Sequence, residues 1–220
     1  MTARHRRIFR IAALAACAAA LTGCHGKGQI VVDEGVGVTA LRGVCPAVGI
    51  PDYTGDITLF NGAARTADAI DVVAVMTNVR STCDDSSGDR VYATAKFDVL
   101  ARRANTNGAR TVQIPYFSTV LRGGSAVVSK RVGTVTIQFA DGQERAQATG
   151  VAGAYVDRAE ATLPQDIVEK IGRKRRAGQE DAAVDPLTLP EVRDALARAN
   201  FELLVGFQLS EAQLAYNATR

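Results

Sequence analysis

The chain has 220 residues, of which 47% are hydrophobic and 22% charged, and its formal net charge at pH 7 is +3. Four arginines lie within residues 1–10, and the chain beyond residue 23 holds 22 basic against 23 acidic residues, a net charge of −1. A nucleic-acid-binding protein needs a strongly basic face to displace counterions from phosphates, so this composition argues against that class.

Residues 1–23 have the form of a secretory signal peptide. Basic residues from Arg4 to Arg10 precede an apolar stretch from Ile11 to Leu21, which is too short to span a bilayer. The stretch ends in Leu21-Thr22-Gly23-Cys24, which resembles the lipobox of bacterial lipoproteins. The resemblance implies cleavage before Cys24 and lipid attached to that cysteine. An ordinary signal peptide, cleaved at another small residue, is the alternative.

Residues 24–44 are predicted to tether the rest of the chain to a membrane. They are rich in Gly and Val without a helical period, and as a flexible coil they would reach on the order of 25 Å. His25, and not Asp, follows the cysteine; in lipoprotein sorting this implies transfer to the inner leaflet of the outer membrane, facing the periplasm. Residues 45–220 are long enough to form one domain with its own core.

Two cysteines are predicted to form a disulfide. Cys17 leaves with the signal peptide and Cys24 carries the lipid, which leaves Cys45 and Cys83 in an oxidising compartment. A reactive thiol is the competing interpretation.

Period-two alternation of apolar and polar residues predicts about seven strands. It is clearest over residues 90–102, where Val91, Phe97 and Val99 face one way. The other predicted strands cover residues 56–61, 69–80, 111–121, 134–139, 145–155 and 201–209. Pro115 suggests an edge or a bulge, and Asp141-Gly142 suggests a two-residue hairpin turn.

Two short helices are predicted before the last strand. Pro164 and Pro190 stand where proline can open a helix, so residues 164–199 form a helical insertion with an exposed linker from Ala177 to Leu187. The pattern predicts a mostly β fold, an immunoglobulin-like or fibronectin-like β-sandwich with this insertion. A jelly roll or an open barrel is the alternative, and the exact topology stays open.

Several segments resemble those of uncharacterised alphaproteobacterial lipoproteins. They are Cys45-Pro46, Ile114-Pro115-Tyr116-Phe117, Val205-Gly206-Phe207-Gln208-Leu209 and Tyr216-Asn217. The resemblance covers residues 45–217 and implies a lipoprotein with a sandwich domain, but it supplies no activity.

Residues for common catalytic chemistry are missing from the sequence. The two histidines are His5 and His25, so the predicted domain has no imidazole for a Ser-His-Asp or Cys-His site or for an HExxH zinc site. Carboxylate pairs remain, but the chain has no Trp, and 5% aromatics offer few platforms for sugars. We therefore expect no enzymatic activity, no metal and no cofactor.

Three segments are weaker candidates for binding. Residues 84–89 are rich in Asp and could offer oxygens to calcium, although a solvated hairpin loop is the simpler interpretation. Arg173, Lys174, Arg175 and Arg176 could contact an anionic surface, or could simply be a solvated helix end. Tyr116 and Phe117 on an edge strand could accept a partner strand, or could be ordinary packing.

The leading functional hypothesis is a non-enzymatic envelope lipoprotein that faces the periplasm as a scaffold or assembly module for an envelope protein complex. It combines the predicted anchor, the predicted sandwich and the missing catalytic groups. The alternative is a carrier of a lipid or small hydrophobic ligand, which an apolar cavity would favour. A carboxylate enzyme would need two acids converging in a cleft, one of them with a displaced pKa. Partner identity and oligomeric state leave no trace in the sequence.

Overall fold

The computed structural model describes residues 43–86, 88–173, 178 and 184–219, and within them eight strands form two four-stranded sheets. The first sheet has the order β1-β8-β5-β6 and the second has the order β2-β3-β4-β7. The strands are β1 (Ala47–Gly49), β2 (Asp56–Phe60), β3 (Ile70–Asp84), β4 (Arg90–Arg103), β5 (Arg110–Arg122), β6 (Ala126–Phe139), β7 (Arg145–Asp157) and β8 (Phe201–Phe207). The predicted β-sandwich is confirmed, with eight strands where about seven were expected. The predicted signal peptide and nearly all of the tether lie outside the described residues.

The core lies between the two sheets and follows from the period-two pattern. In β4, Val91, Phe97 and Val99 are fully buried, whereas Lys96 and Leu100 on the opposite face are exposed. Inward residues of β5, β6 and β8 meet them from the first sheet. Each large apolar side chain buried in this way contributes about 1.5–3 kcal/mol, which holds the sheets face to face.

A helical insertion separates β7 from β8, as predicted. It comprises α1 (Arg158–Ala161), α2 (Gln165–Gly172) and α3 (Pro190–Ala199). Asp157 caps α1 by accepting the backbone N–H groups of the first turn, and Pro190 opens α3. Ile167 and Ile171 of α2 pack on Val192 and Ala195 of α3 in a second, small core.

A further helix, α4 (Glu211–Thr219), follows β8 and is absent from the sequence prediction. Asn217 Nδ2 donates hydrogen bonds of 2.8 Å to the backbone oxygens of Tyr53 and Asp56, and Tyr216 packs edge-on against Phe60. These contacts dock α4 on β2 and the loop before it.

The expectation of an edge strand at Pro115 is wrong, because β5 lies between β8 and β6. Pro115 O accepts a hydrogen bond from Gln208 N at 2.9 Å, so its backbone faces β8 just beyond the last residue of that strand, Phe207. Because Pro115 stands where the ladder with β8 ends, its missing N–H leaves no ladder hydrogen bond unmade, and the strand tolerates it. Strand addition at Tyr116 and Phe117 is excluded for the same reason, since both sides of β5 are paired.

The predicted hairpin at Asp141-Gly142 is also wrong, although the turn itself is present. Gly142 has a φ of +73°, which suits a tight turn. However, β6 belongs to the first sheet and β7 to the second, so the chain passes from one sheet to the other. Alternation cannot distinguish the two cases, because both strands present apolar residues to the same core.

The strand order settles the topology that the sequence left open. Strands β2, β3 and β4 are successive neighbours in the second sheet. An immunoglobulin domain instead places its strands in the order A-B-E-D against C-F-G. The molecule shares the layered sandwich with that class and has its own order of strands.

The predicted disulfide is confirmed. Cys45 and Cys83 are joined, with 6.0 Å between their Cα atoms and a sequence separation of 38. Cys45 precedes β1 in the first sheet, and Cys83 lies near the end of β3 in the second. The bond therefore links the two sheets where the chain enters the domain.

Two arginines fasten the opposite end of the sandwich. Arg103 is 1% exposed, and its guanidinium donates four hydrogen bonds of 2.8 Å to carbonyl oxygens in the loops after β4 and β6. Arg110 of β5 makes two hydrogen bonds of 2.6 Å to the carboxylate of Asp71 in β3, which crosses from one sheet to the other. The side-chain hydrogen bonds from Arg110 hold the pKa of Asp71 below its ordinary value, despite the opposing effect of burial.

Candidate binding cleft between β6 and β7

The predicted site residues do not converge in the structure. Cys24 lies outside the described residues, and so do Lys174, Arg175 and Arg176. Arg173 is exposed directly after the end of α2, so contact with an anionic surface stays a prediction. Within the Asp-rich segment 84–89, Asp84 ends β3 and accepts hydrogen bonds from Ser86, and Ser87 lies outside the described residues; β3 and β4 pair as the antiparallel neighbours that a hairpin requires.

The most unusual surface of the described structure is the first half of β6. Residues 126–132 are exposed at every position, on both faces of the strand. Val127, Val128 and Val132 are 65%, 53% and 61% exposed, whereas the second half of β6 alternates between buried and exposed residues. Among the described residues, β6 is the last strand of the first sheet, so this half has apolar side chains and a free edge together.

The backbone groups at this free edge follow from the ladder. Adjacent residues of an antiparallel strand turn their N–H and C=O groups to alternate sides. Pro115 faces β8, so Ser118, an odd number of positions away, faces β6, where it stands opposite Arg131. The neighbours of Arg131, Lys130 and Val132, therefore turn their N–H and C=O groups away from β5. They form a template to which another strand can add.

A cleft of about 340 Å³ opens beside this edge, between β6 and the last half of β7. Its floor is mostly apolar and comes from β5, β7 and β8: Val120, Ala154, Val156, Phe201 and Leu203. Four charged residues lie around it: Arg90, Arg131, Asp157 and Glu160. The arrangement can hold an apolar group on its floor and a charged group at its rim.

Tyr116 bridges the two sheets next to the cleft. Its ring packs edge-on against Phe97 in the core, and its hydroxyl donates a hydrogen bond of 3.0 Å to Val151 O on the edge of β7. The ring passes beneath Gly133, where an added Cβ would lie 2.6 Å from Tyr116 Cζ. Only glycine at position 133 leaves room for this bridge.

The acidic residues of the cleft are already engaged. Asp157 accepts hydrogen bonds from the backbone N–H groups of Ala159 and Glu160, and Glu160 forms an ion pair of 3.3 Å with Arg122. Neither Arg90 nor Arg131 takes part in an ion pair within 4.0 Å among the described residues. Arg90 stands opposite Asp157 in the β4–β7 ladder, so its charge is partly balanced. Arg131 has no carboxylate opposite it, because its cross-strand neighbour is Ser118.

A second exposed surface lies on the outer face of the second sheet. Val75 and Leu100 are 44% and 48% exposed in a shallow basin of about 810 Å³. Farther along the same face, Asp98 accepts hydrogen bonds from Asn78 and Thr149, which lower the pKa of its carboxyl group. This surface is shallow and open. The backbone groups of β3 and β4 are paired with strands on both sides, so neither strand has a free edge.

Metal-binding clusters and acids with a shifted pKa do not coincide with the cleft in the described part of the chain. No cluster of three or more His, Cys, Asp or Glu side chains suited to a metal ion occurs within the described ranges. The acids whose pKa is lowered, Asp71, Asp84, Asp98 and Glu191, lie outside the cleft lining.

The sequence predicts this strand only over residues 134–139, so it does not predict the free edge at residues 126–132. The available signal was the run Ala126-Val127-Val128 followed by Lys130 and Arg131, which is β-forming but lacks the alternation of a strand with one buried face. Val128 also interrupts the ladder, since Val120 pairs with Ser129 and Leu121 with Val127.

No family model, no curated protein and no solved structure matches the chain. The helices in the described part of the chain are all too short or too polar to cross a membrane.

Proposed function

We propose that the chain is a non-enzymatic lipoprotein, anchored through Cys24 to the outer membrane, that faces the periplasm and holds a partner protein of an envelope complex. The lipobox-like segment before Cys24 supports the anchor, and the disulfide between Cys45 and Cys83 suits an oxidising compartment. On this proposal the partner contributes a strand that adds to the free edge of β6.

The observation that carries this proposal is the exposure of residues 126–132 on both faces of the last strand of the first sheet. Natural proteins usually shorten, cover or twist away such edges, because unpaired backbone groups invite pairing. Here the edge carries Lys130, Arg131 and a bulge at Val128, and it nevertheless continues for several residues beside three exposed valines. Strand addition would satisfy the backbone groups of Lys130 and Val132 and bury these valines, and neither effect requires chemistry by the chain itself.

A carrier of a small hydrophobic ligand is the second candidate, and the apolar floor of the cleft favours it. The cleft volume of about 340 Å³ is near the lower end of the range of roughly 300–1,000 Å³ for ligand pockets. The space between the sheets is filled by side chains such as Phe97, Phe139 and Leu203. The cleft thus suits a short apolar group better than a long acyl chain.

Site-specific photocrosslinking in intact cells tests the proposal. A photoreactive phenylalanine analogue replaces Val128 in the anchored protein, and matched controls carry it at Val75 or Leu100, which are exposed and apolar but lie on the outer face of the second sheet. We expect one protein adduct of constant mass from position 128 and none of that mass from the controls. Adducts of equal yield from all three positions, or no adduct from position 128, would refute the proposal.

Two further variants separate strand addition from incidental contact. Val132→Pro removes an N–H that faces away from β5, so it should abolish the adduct at little cost to the sheet. Val132→Ser keeps that N–H and removes the apolar side chain, so it should weaken the adduct, and it serves if the proline variant fails to fold. A Cys24→Ala protein at matched level should lose the adduct if the anchor brings the chain to its partner. Lipid that copurifies with the chain, in place of any adduct, would favour the carrier.

A further inference from the structure

We infer that the strand captured by β6 carries a carboxylate opposite Arg131 and, two residues away, an apolar side chain that rests on the floor of the cleft. This inference rests on the proposed function and specifies the chemistry of its partner. It follows from what a strand added to β6 must cover.

Strand addition fixes which partner side chains enter the cleft. Successive residues of a strand point to opposite faces, and those on one face repeat about every 6.6–6.8 Å. The partner residue opposite Arg131 faces inward, because Arg131 and Ser118 lie on the inner face and line the cleft. The next inward partner residue stands opposite Ser129, whose cross-strand neighbour Val120 belongs to the apolar floor.

The added strand would remove Arg131 from water. A guanidinium that loses its hydration without gaining an acid is strongly unfavourable at an interface. Arg131 cannot obtain that acid within the described part of the chain at low cost, because Asp157 caps α1 and Glu160 is paired with Arg122. The partner has to supply it, and a Glu or Asp in the inward position also reduces the field of Arg90 across the cleft.

The same charges argue against a second copy of the chain as the partner. Two β6 edges in antiparallel pairing would bring the Lys130-Arg131 pair of one copy near that of the other. Like charges across a ladder are unfavourable. Lys130 lies on the outer face, where its ammonium stands 5.4 Å from the ring centroid of Phe117 and attracts a second acid on the outer side of the partner strand. The edge therefore selects an acidic, alternating strand over itself.

A binding experiment with the full chain in detergent tests this inference. The probes are three blocked peptides of alternating Val and Thr that differ in one central inward residue, which is Glu, Gln or Lys. Backbone amide shifts in β6 and peptide anisotropy report binding. We expect the Glu peptide to bind about tenfold more tightly than the Gln peptide, the factor of one charge-assisted hydrogen bond, and the Lys peptide to bind more weakly still.

Arg131→Gln should remove the preference for Glu over Gln while the β6 amides still shift. The matched control is Arg193→Gln, which changes an exposed arginine of α3 and should keep the preference. Equal binding of the Glu and Gln peptides by the unmodified chain would overturn the inference and leave strand capture intact. Absence of β6 shifts with every peptide would overturn both the inference and strand capture. Displacement of the Glu peptide by dodecanoate alone at comparable concentration would overturn the inference in favour of a small-molecule site.

Discussion

Arg103 offers the sharpest test of how the sandwich is held together. Replacing it by Met keeps most of the side-chain length but removes the guanidinium and its four hydrogen bonds. Those bonds reach the carbonyl oxygens of Gln143, Gly108, Thr106 and Ala140. The substitution removes one donor from each of them, and Thr106 O and Ala140 O keep a backbone N–H donor.

The magnitude follows from two opposing terms. Hydrogen bonds that involve a charged group contribute about 1.5–3 kcal/mol each, and burial of a guanidinium costs several kcal/mol that its removal returns. We expect Arg103→Met to lower the free energy of unfolding by about 3–5 kcal/mol, the usual result of removing one side of a buried polar network. For a domain of this size, that corresponds to a fall in Tm of about 10 °C.

Urea denaturation followed by circular dichroism measures the effect, and the adjacent residue supplies the control. The Arg102 side chain is 61% exposed and lies 3.7 Å from Glu144, so Arg102→Met should change stability by less than about 0.5 kcal/mol. Equal midpoints for the two variants, with equal m-values, would show that the four hydrogen bonds only offset the cost of burying Arg103.

Three further predictions concern stability. Replacing Cys45 or Cys83 by Ser should cost up to about 4 kcal/mol, because the bond closes a long loop, and melting under oxidising conditions measures it; equal Tm values would count against the disulfide. Asp71→Asn should cost about 2 kcal/mol at pH 7 by weakening a charge-assisted pair. Because the pKa of Asp71 is lowered by folding, its contribution is complete above the unfolded value of about 4 and is lost as the pH falls through the folded value. Denaturation across this acidic range should therefore bring the Asn variant and the parent together, and a constant difference would contradict the assignment. Gly133→Ala should destabilise by about 2–3 kcal/mol through its clash with Tyr116, whereas Tyr116→Phe should cost only about 1 kcal/mol; similar costs in thermal melts would argue against the clash.

The sequence predicts elements well where one pattern has one structural outcome. β4 is the clearest case, since its alternation predicts both the strand and its buried face. The odd-numbered residues of β4 face the core, and Arg103 follows the same pattern. The same pattern could not say that β6 and β7 lie in different sheets, because strands of both sheets face one core. The edge prediction from Pro115 failed for a related reason. The missing N–H is harmless because the ladder with β8 ends there, and the sequence of β5 does not show where β8 ends.

The candidate site was harder to predict than the fold. The free half of β6 has no buried face, so it carries no periodicity. Beside the cleft, Tyr116 reaches under Gly133 to β7. Such a contact depends on the spacing between two sheets. The sequence does not predict α4 either. Asn217 stabilises this helix through hydrogen bonds to two carbonyl groups that are distant in sequence.

The parallel pairing of β1 with β8 constrains the order in which the domain folds. A chain that emerges from its N-terminus presents Val48 early, but its ladder partner Leu203 arrives only when nearly all of the domain has emerged. The meander of β2, β3 and β4 can form before that, and the disulfide can already hold β1 beside β3. The first sheet is completed only when β8 inserts between β1 and β5. On the proposed function, the partner strand would add to β6 of the completed sheet.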